Sequence, residues 1–512
     1  MSLTDMKVFK EKFGYGGITP TLCTGLRVKN DQANLCNSLR WKDPEDTYIN
    51  GFLVSSWAKT VVVRKKGSYP TSIIDGKMVV ENKVRNAYIE GYTDSDFEEG
   101  DDVAAYYYKA FPVSDTGAVS CNDKNNFKSI IVYGFRKSKS NLAPDTRIEY
   151  TEDAQGLAPA YMDFATDSFN YGGWGDTFIM ESFTPVMLYS DGTEAYELNK
   201  NDYTKKADGS SSDVANTSFD GNAMMRVEKM YTSFSEDASY YYFKVSNGKA
   251  DDSFRPLGFL DANGNETDRA YLRIYEGSLI SSKIRSLSGQ TLMSAQTSPN
   301  ERTYAQNNGA NWNKGTWAHR ALINALLQLI SCSSDSQTTF GRGHVDATNA
   351  SSVSSCIKTG TMNNKGMFWG SSASGNGVKV FGLENWWGNQ WERIEGCINV
   401  SGNMYLKDRA PYNDTGSGYT ATGIVPAGTS GGYISTETAT QFGLVPTNAS
   451  GSATTGECDG LWFNNGQTDV AVVGGGCNGA LLAGAEALGV DVAASGGGWG
   501  FGASLSYVPL AA

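Results

Sequence analysis

Histidine is scarce in this sequence, and the scarcity limits the catalysis that it can support. Only His319 and His344 occur among the 512 residues. Most nucleophilic triads and imidazole metal sites need a histidine, so we expect neither catalytic nor metal-binding residues. The eight cysteines are scattered without CxxC pairs, which is neither a zinc pattern nor the disulfide framework of a small secreted domain. We expect isolated buried thiols.

Positive charge is missing from the C-terminal part of the chain. The protein has a net charge of −12, and no Lys or Arg follows Arg409, whereas seven carboxylates do. A surface without cations cannot neutralise phosphates, so we expect neither nucleic acid nor an anionic membrane as a partner of this part. Its ligand would be neutral, cationic or recognised by shape.

Long apolar runs are also absent. The longest such window, residues 321–330, is well short of the roughly 18 residues that span a bilayer, so we expect no membrane insertion. The opening sequence MSLTDMKVFKEKFGYGG has no apolar run typical of a signal peptide. We therefore expect synthesis in the cytoplasm. No coiled-coil heptad occurs, so a long helical stalk is not predicted.

The residues that are abundant favour β structure. The chain has 58 Gly and 27 Tyr, and only 19% of its residues are charged, a mixture typical of turn-rich β proteins. One helix stands out, because apolar residues recur at steps of three and four through residues 317–330. Thr316 is its predicted N-cap. We expect the helix to pack on a sheet, with His319 and Arg320 on its solvated outer side.

The N-terminal part predicts an arm followed by a β-sandwich. Residues 1–20 are polar and predict a short attachment arm. In residues 21–138, a β-branched run at 60–64 and an aromatic run at 103–111 predict strands. With Trp41 ahead of a turn, this layout resembles a fibronectin type III domain. The resemblance implies a seven-stranded sandwich of roughly 100 residues, which we interpret as a spacer.

The remaining sequence predicts a linker and one large domain. Residues 139–155 begin with Lys and Ser and contain Pro144, as linkers often do, and residues 156–512 show no comparable break. Within them, Trp386, Trp387 and Trp391 surround the turn Gly388-Asn389. Such large side chains either fill a core or form an aromatic platform for a sugar, and residue types alone favour the core.

Residues 381–392 resemble a signature of the formylglycine-generating-enzyme-like branch of the C-type lectin fold. In that family the segment is structural. The implied fold class is therefore all-β for residues 21–138, an immunoglobulin- or fibronectin III-like sandwich, and α+β for a C-type-lectin-like domain at 156–512. The framework residues that the resemblance implies are Trp386, Trp387, Gly388, Asn389, Trp391, Trp462, Gly484, Trp499, Phe501, Ala503 and Leu505.

The tail at residues 470–505 contains 11 Gly and 8 Ala among 36 residues. Glycine inside strands costs roughly 0.5–1 kcal/mol against alanine, so such a tail must be held by a scaffold built elsewhere. A disordered tail is the alternative, although Trp499 and Phe501 favour an ordered closing strand. Together with residues 458–467, the tail resembles the variable proteins of diversity-generating retroelements, a class that includes phage tropism determinants. That class displays altered side chains on one face of a lectin fold.

The resemblance implies a variable region at about residues 465–502. The ligand-binding positions that it implies are Trp462, Val472, Val473, Cys477, Asn478, Leu481, Leu482, Glu486, Ala487, Gly489, Asp491, Gly498 and Gly500. We expect Trp462 and the pair Glu486 and Asp491 to contribute most to binding. No clustered carboxylate run predicts a calcium site, so no cofactor is assigned, although Ca²⁺ occurs in many lectin-like folds.

The function implied is that of a phage-tail receptor-binding protein, an adhesin carried on the virion. Its expected partners are a host cell-surface protein or glycan, other tail proteins through the N-terminal region, and further copies of itself, with a trimer favoured. Three alternatives remain: a structural tail component without a receptor role, a bacterial surface adhesin, and an enzyme of the formylglycine-generating type. The enzyme would need two neighbouring thiols, and Cys458 and Cys477 are the late candidates.

Overall fold

The computed structural model describes residues 19–32, 34–49, 51–128 and 130–511. The chain divides into two compact units, Met1–Ile131 and Val132–Ala512. The fold is mostly β, with several antiparallel sheets and few short helices. Except for its last two residues, the predicted attachment arm lies outside the described residues.

The first unit is built from two sheets that share one core. Its strands are β1 (Thr24–Asp31), β2 (Cys36–Lys42), β3 (Thr47–Ile49), β4 (Phe52–Ser55), β5 (Trp57–Lys66), β6 (Lys77–Asn82), β7 (Tyr92–Asp94), β8 (Tyr106–Ser114) and β9 (Asn126–Lys128). One sheet has the order β1-β2-β7 and the other β6-β5-β8-β9, while β3 and β4 form a hairpin. Trp41 from the first sheet and Val62 and Tyr108 from the second lie in one hydrophobic cluster. The predicted β-branched run thus forms β5, and the aromatic run enters β8.

The second unit contains many more strands and four α-helices. Its strands are β10 (Val132–Ser138), β11 (Ile148–Glu152), β12 (Tyr161–Asp163), β13 (Ser168–Asn170), β14 (Phe183–Tyr189), β15 (Glu194–Asn199), β16 (Asp202–Lys206), β17 (Gly221–Glu228), β18 (Tyr231–Glu236), β19 (Tyr240–Ser246), β20 (Arg269–Arg273), β21 (Ser278–Ile280), β22 (Lys283–Arg285), β23 (Trp312–Lys314), β24 (Lys379–Val380), β25 (Leu383–Glu384), β26 (Trp391–Val400), β27 (Asn403–Leu406), β28 (Thr420–Ala421), β29 (Ala427–Gly428), β30 (Gly432–Tyr433), β31 (Thr436–Thr440), β32 (Gly443–Ala449), β33 (Gly460–Phe463), β34 (Thr468–Val473), β35 (Leu488–Ala493), β36 (Phe501–Gly502) and β37 (Leu505–Tyr507). Its described helices are α1 (Phe178–Glu181), α2 (Ser298–Gln306), α3 (Trp317–Ser331) and α4 (Ser336–Phe340).

Two large sheets organise this unit. The first has the order β16-β15-β14-β17-β20-β37-β23, so the closing strand of the chain lies between β20 and β23. The second has the order β28-β27-β26-β34-β35-β33-β30, and β36 adds to β26 in parallel. The Gly-rich tail therefore contributes strands to both sheets, as expected of an ordered segment.

The predicted boundary between the domains needs correction. Residues 132–138 were assigned to the sandwich, but they form β10, which pairs with β11 and β19 inside the second unit. The predicted linker at 139–155 accordingly contains β11. Lys137 in β10 is fully buried, and its Nζ donates to Oε1 of Glu457 at 2.9 Å. A lysine can be buried when a carboxylate pairs with it, so the charge of the side chain alone does not place the residue at the surface.

Helix α3 confirms the predicted helix and corrects its predicted surroundings. The side chain of Thr316 accepts a hydrogen bond from the backbone N–H of His319, as an N-cap does. All fifteen residues of the helix are buried. His319 and Arg320 are therefore not solvated. His319 is held by Gly258, whose carbonyl lies 2.9 Å from its Nε2, and Arg320 binds loop carbonyls that the sequence pattern does not reveal.

Candidate ligand-binding face

One side of the second large sheet carries four of the predicted ligand-binding positions. Trp462 in β33 pairs with Gly489 in β35, which also pairs with Val472 in β34. Paired residues share a face of a sheet, and so do residues two apart on one strand, which places Asp491 on this side as well. Val473, the next residue along β34, points to the opposite side and belongs to the hydrophobic core.

Two tryptophan rings are in contact with each other on the side of the sheet that carries Trp462. The rings of Trp391 and Trp462 are perpendicular, with their centroids 5.0 Å apart, and both residues are partly exposed. Glycines surround them closely. A Cβ on Gly476 would lie 3.2 Å from Cδ1 of Trp391, and one on Gly431 would lie 3.0 Å from Nε1 of Trp462. Some of the glycines therefore make room for indole rings.

An exposed loop lies next to the two rings. Residues 480–482 form a short 3₁₀ turn, in which Leu481 is 46% exposed and Leu482 is partly buried. Asn478, just before the turn, is also exposed. A Cβ on Gly460 would touch both Trp462 and Cβ of Leu482, which places the turn beside the indole. We call the surface formed by Trp391, Trp462 and residues 478–482 the tryptophan face.

A row of polar side chains on α3 holds the C-terminal end of this loop. Arg320, Asn324 and Gln328 are spaced by four residues, so they lie on one side of the helix. Nη2 of Arg320 and Nδ2 of Asn324 donate to the carbonyl of Ala485 at 2.8 and 2.6 Å. Asn324 and Gln328 also donate to the two carboxylate oxygens of Glu486, each at 3.0 Å. The loop thus rests on a rigid helix.

The N-terminal end of the loop is fixed by the tryptophan-rich segment. The backbone N–H of Cys477 donates to the carbonyl of Asn389 at 2.8 Å, and that of Gly388 donates to the carbonyl of Gly474 at 2.9 Å. Nδ2 of Asn389 donates to Oε2 of Glu276 at 2.6 Å. Burial raises the pKa of Glu276 to about 8, so a neutral carboxyl is favoured at this junction.

The three tryptophans of this segment differ in burial. Trp387 is fully buried and Trp386 nearly so. Nε1 of Trp386 donates to Oδ1 of Asn324 on α3 at 2.9 Å. Trp391 instead lies on the tryptophan face. The framework positions Gly388, Asn389, Gly484, Ala503 and Leu505 are buried, whereas Trp499 and Phe501 are partly exposed.

Several predicted ligand-binding residues need correction because their side chains are not accessible. Val472, Val473, Cys477, Ala487 and Gly489 are all buried. Val473 faces the core, Cys477 lies under the loop, and Val472 is covered although it belongs to the outer side of the sheet. The positions were predicted from their places in the sequence, and those places do not show which side chains are covered. Successive side chains of a strand point to opposite faces of the sheet, so an error of one residue exchanges the core side for the outer side.

Glu486 also needs correction, since it is only partly exposed and its carboxylate anchors the loop. Both of its carboxylate oxygens accept hydrogen bonds from α3. Burial and the nearby Glu457 raise its pKa. Asp491, its predicted companion, is exposed on the outer side of the sheet. The two carboxylates therefore do not act as a pair.

The remaining predicted positions lie at or near the surface. Trp462, Asn478, Leu481 and Leu482 come together on the tryptophan face. Gly498 and Gly500 are partly exposed, and the carbonyl of Gly500 accepts from the backbone N–H of Trp391 at 3.1 Å. The resemblance places Trp391 in the framework, and the residue types alone favour the core over an aromatic platform. The position of Trp391 directly after the Gly388-Asn389 turn, at the start of β26, was the signal that could have indicated its place at the surface.

A cavity of about 240 Å³ opens beside the turn at residues 480–482. Its walls include Phe164, Asp335, Arg342, Cys458, Asp459 and Leu481. Asp459 is only 1% exposed, and its Oδ2 accepts from the backbone N–H of Glu486 at 2.8 Å. Burial and, after it, the charge of Asp335 raise the pKa of Asp459. Sequence reasoning missed this cavity, because its residues come from five separate segments.

The thiols differ from the expected arrangement. Cys458 and Cys477 were the late candidates for a pair, but Cys477 instead neighbours Cys356, whose Sγ donates to the carbonyl of Asn389 at 3.2 Å. All eight cysteines are free, and Cys121 is exposed, so not all of them are buried. Within the described ranges, no group of three or more His, Cys, Asp or Glu residues is placed to hold a metal ion.

No protein-family model matches the chain, and no curated protein matches its sequence. None of the helices in the described part of the chain has the length and apolarity of a membrane span.

Proposed function

We propose that this protein is a receptor-binding protein of a phage tail, an adhesin that contacts the host through the tryptophan face. One observation carries the proposal: an exposed loop with Asn478 and Leu481 is held at both ends by buried hydrogen bonds. The side chains at its tip take little part in holding the fold. Such positions can change without loss of the scaffold, which is what a variable binding surface requires.

The architecture inside each unit supports a specific fold proposal for that unit. In the first unit, a three-stranded and a four-stranded sheet share a core, which fits a fibronectin III-like spacer. For the second unit we propose a C-type-lectin-like fold. It is supported by the 15-residue helix α3, by the buried turn at Gly388-Asn389, and by the position of the C-terminal strand β37 inside the first large sheet.

The chemistry of the face indicates the kind of partner. Its indoles and leucines offer apolar contact, and the exposed carboxylate of Asp491 lies on the same side of the sheet as Trp462. A neutral or cationic host protein or glycan would fit better than an anionic one. With few anchoring side chains, each copy would bind weakly. We propose that a homo-oligomer, a trimer in the favoured form, multiplies these contacts on the virion.

A comparison of two substitutions at exposed positions tests the proposal. Leu481→Arg places a charge on the tryptophan face, whereas Ile74→Arg places the same charge on the first unit at a residue that is 87% exposed. Binding of the labelled full-length protein to a panel of bacterial strains is measured for both variants. We expect Leu481→Arg to reduce binding at least tenfold and Ile74→Arg to leave it unchanged. Equal binding by both variants, or no binding by the unaltered protein, contradicts the proposal.

A structural tail component without a receptor role is the second candidate. It is favoured by the burial of five predicted face residues, which makes much of the tail part of the core. This candidate predicts that phage carrying Leu481→Arg adsorb normally. It also predicts that removal of residues 465–502 stops particle assembly. Normal assembly with lost adsorption would support the receptor-binding role instead.

A further inference from the structure

The cavity beside residues 480–482 contains a buried carboxylate without a cationic partner. Asp459 is 1% exposed, and no Lys, Arg or His in the described ranges forms an ion pair with it. Its Oδ2 accepts from Glu486 N–H at 2.8 Å, while its Oδ1 accepts no hydrogen bond from a described residue. A buried carboxylate is costly unless a positive group or several donors accompany it. This one lines an open cavity and lacks both.

The charged residues nearby do not supply the missing cation. Nε and Nη2 of Arg342 are bound to the carboxylate of Asp346 at 3.1 and 2.9 Å, and its Nη1 donates to Gln337. Asp335 accepts from the backbone N–H of Thr338 at 2.9 Å and also from its hydroxyl. The guanidinium is thus already neutralised, and Asp335 adds a second negative charge to the cavity wall.

The remaining walls suit a carbon stem. Phe164 and Leu481 line the same cavity and are 37% and 46% exposed, so each presents apolar surface without filling the space. The volume of about 240 Å³ accommodates a small group and not an extended peptide. Buried negative charge next to apolar walls is complementary to an ammonium group carried on an aliphatic or sugar carbon.

We propose that this cavity binds the primary ammonium group of the ligand, with Asp459 as its counter-ion and Phe164 and Leu481 against the attached carbons. The proposal rests on the proposed function, because Leu481 belongs to both the cavity and the tryptophan face. The ammonium could be that of a lysine side chain or of an amino sugar on the host surface. Binding pairs an ionised Asp459 with the cation, and a proton carried by the carboxyl is released to solvent.

The titratable and charged groups around Asp459 all bear on its pH response. They are Asp335, Glu457, Glu486, Cys458, Tyr433, Arg320 and Arg342. Because burial raises the pKa of Asp459, affinity for an ammonium ion is expected to increase as the pH rises through that pKa. It then falls once the amine of the ligand loses its own proton.

Calorimetric titration of the full-length protein tests the proposal. The probes are Nα-acetyl-lysine N-methylamide and glucosamine, and their uncharged controls are Nα,Nε-diacetyl-lysine N-methylamide and N-acetylglucosamine. We expect at least one amine to bind at least tenfold more tightly than its acetylated control, with proton release that differs between buffers of different ionisation enthalpy. Whichever amine binds better identifies the source of the ammonium. Equal affinities for amine and control, or no binding of either amine, overturn the proposal.

Two variants locate the site. Asp459→Asn removes the charge with little change of shape. Ala453 also lines the cavity, and Ala453→Phe fills the space while keeping the charge. Both are expected to lose amine binding at least tenfold, whereas Asp491→Asn on the outer side of the sheet keeps it. Thermal unfolding shows whether each variant is folded. If one of the two variants does not fold, the amine binding of the other variant tests the site. Amine binding that survives both changes overturns the proposal. Amine binding without an effect of Leu481→Arg on cell binding contradicts only the proposed function.

Discussion

The indole rings of Trp391 and Trp462 meet edge to face with their centroids 5.0 Å apart, and they join the start of β26 to β33 across the sheet. They belong to separate segments of the sequence, and the resemblance implies a framework role for Trp391 and both a framework and a ligand-binding role for Trp462. Their contact makes the tryptophan face a single surface. It also provides an interaction whose strength can be measured.

The coupling between these two rings is the first prediction. Trp391→Ala and Trp462→Ala should each destabilise the protein, and the double variant should cost less than the sum of the two by about 0.5–1.5 kcal/mol, as expected for an edge-to-face pair. Urea unfolding of the four proteins gives this coupling energy. Strictly additive losses would show that the rings do not interact in solution.

The second prediction concerns glycine in the tail. A Cβ on Gly484 would lie 1.8 Å from Oδ1 of Asp459, whereas one on Gly500 would meet no atom within 4 Å. We expect Gly484→Ala to destabilise the protein by about 1–3 kcal/mol through overpacking, and Gly500→Ala to have little effect. Thermal unfolding of both variants is the measurement. Similar melting temperatures for the two would contradict the close approach of Asp459 to Gly484.

The third prediction concerns the polar row on α3. Asn324→Ala removes the acceptor for Nε1 of Trp386 and the donor to Ala485 and Glu486. The indole N–H of Trp386 then has no acceptor, whereas the carbonyl of Ala485 keeps its bond from Arg320 and Glu486 keeps its bond from Gln328. The substitution should cost about 1–3 kcal/mol, mainly through the unpaired indole N–H. Hydrogen exchange of amides in residues 478–487 should also become faster. The exposed Asn478 provides the control, and Asn478→Ala should change neither stability nor exchange. An unchanged exchange rate in the Asn324 variant would mean that the loop is held by other contacts.

The fourth prediction is a pH dependence of stability. The pKa of Glu276 is raised to about 8 by burial, so between its unfolded pKa, about 4.3, and its folded pKa the folded state binds more protons than the unfolded state. The stability that this group contributes is present below the unfolded pKa and is lost as the pH rises towards about 8.

The variant Glu276→Gln tests this linkage, because its amide resembles a protonated carboxyl. We expect a smaller loss of stability between pH 5 and 9 than in the unaltered protein, measured by urea unfolding across that range. Glu181→Gln, at an exposed residue of the same unit, should leave the pH profile unchanged. Identical profiles for the Glu276 variant and the unaltered protein would assign the pH dependence to other groups.

Local features of the fold were predictable from the sequence. The β-branched run at residues 60–64 forms part of β5, and Thr316 caps the helix that follows it. Strand propensity, helical periodicity and capping depend on residues close together in the chain, so the pattern contains the information. The boundary between the units was not predictable in this way, since it depends on the pairing of β10 with β11 and β19 and on the contact of Lys137 with Glu457, 320 residues away in the chain.

The sequence alone determined that the tail is short of cations, rich in glycine and closed by a strand. The tertiary structure decided which of its side chains reach the surface. Asn478 and Leu481 do, whereas Val473 faces the core and the carboxylate of Glu486 is bound to α3, although the resemblance assigned all four to the ligand-binding set. Burial is decided by strand register and by groups far away in the chain, such as Asn324 on α3, and a pattern of neighbouring residues cannot contain that information.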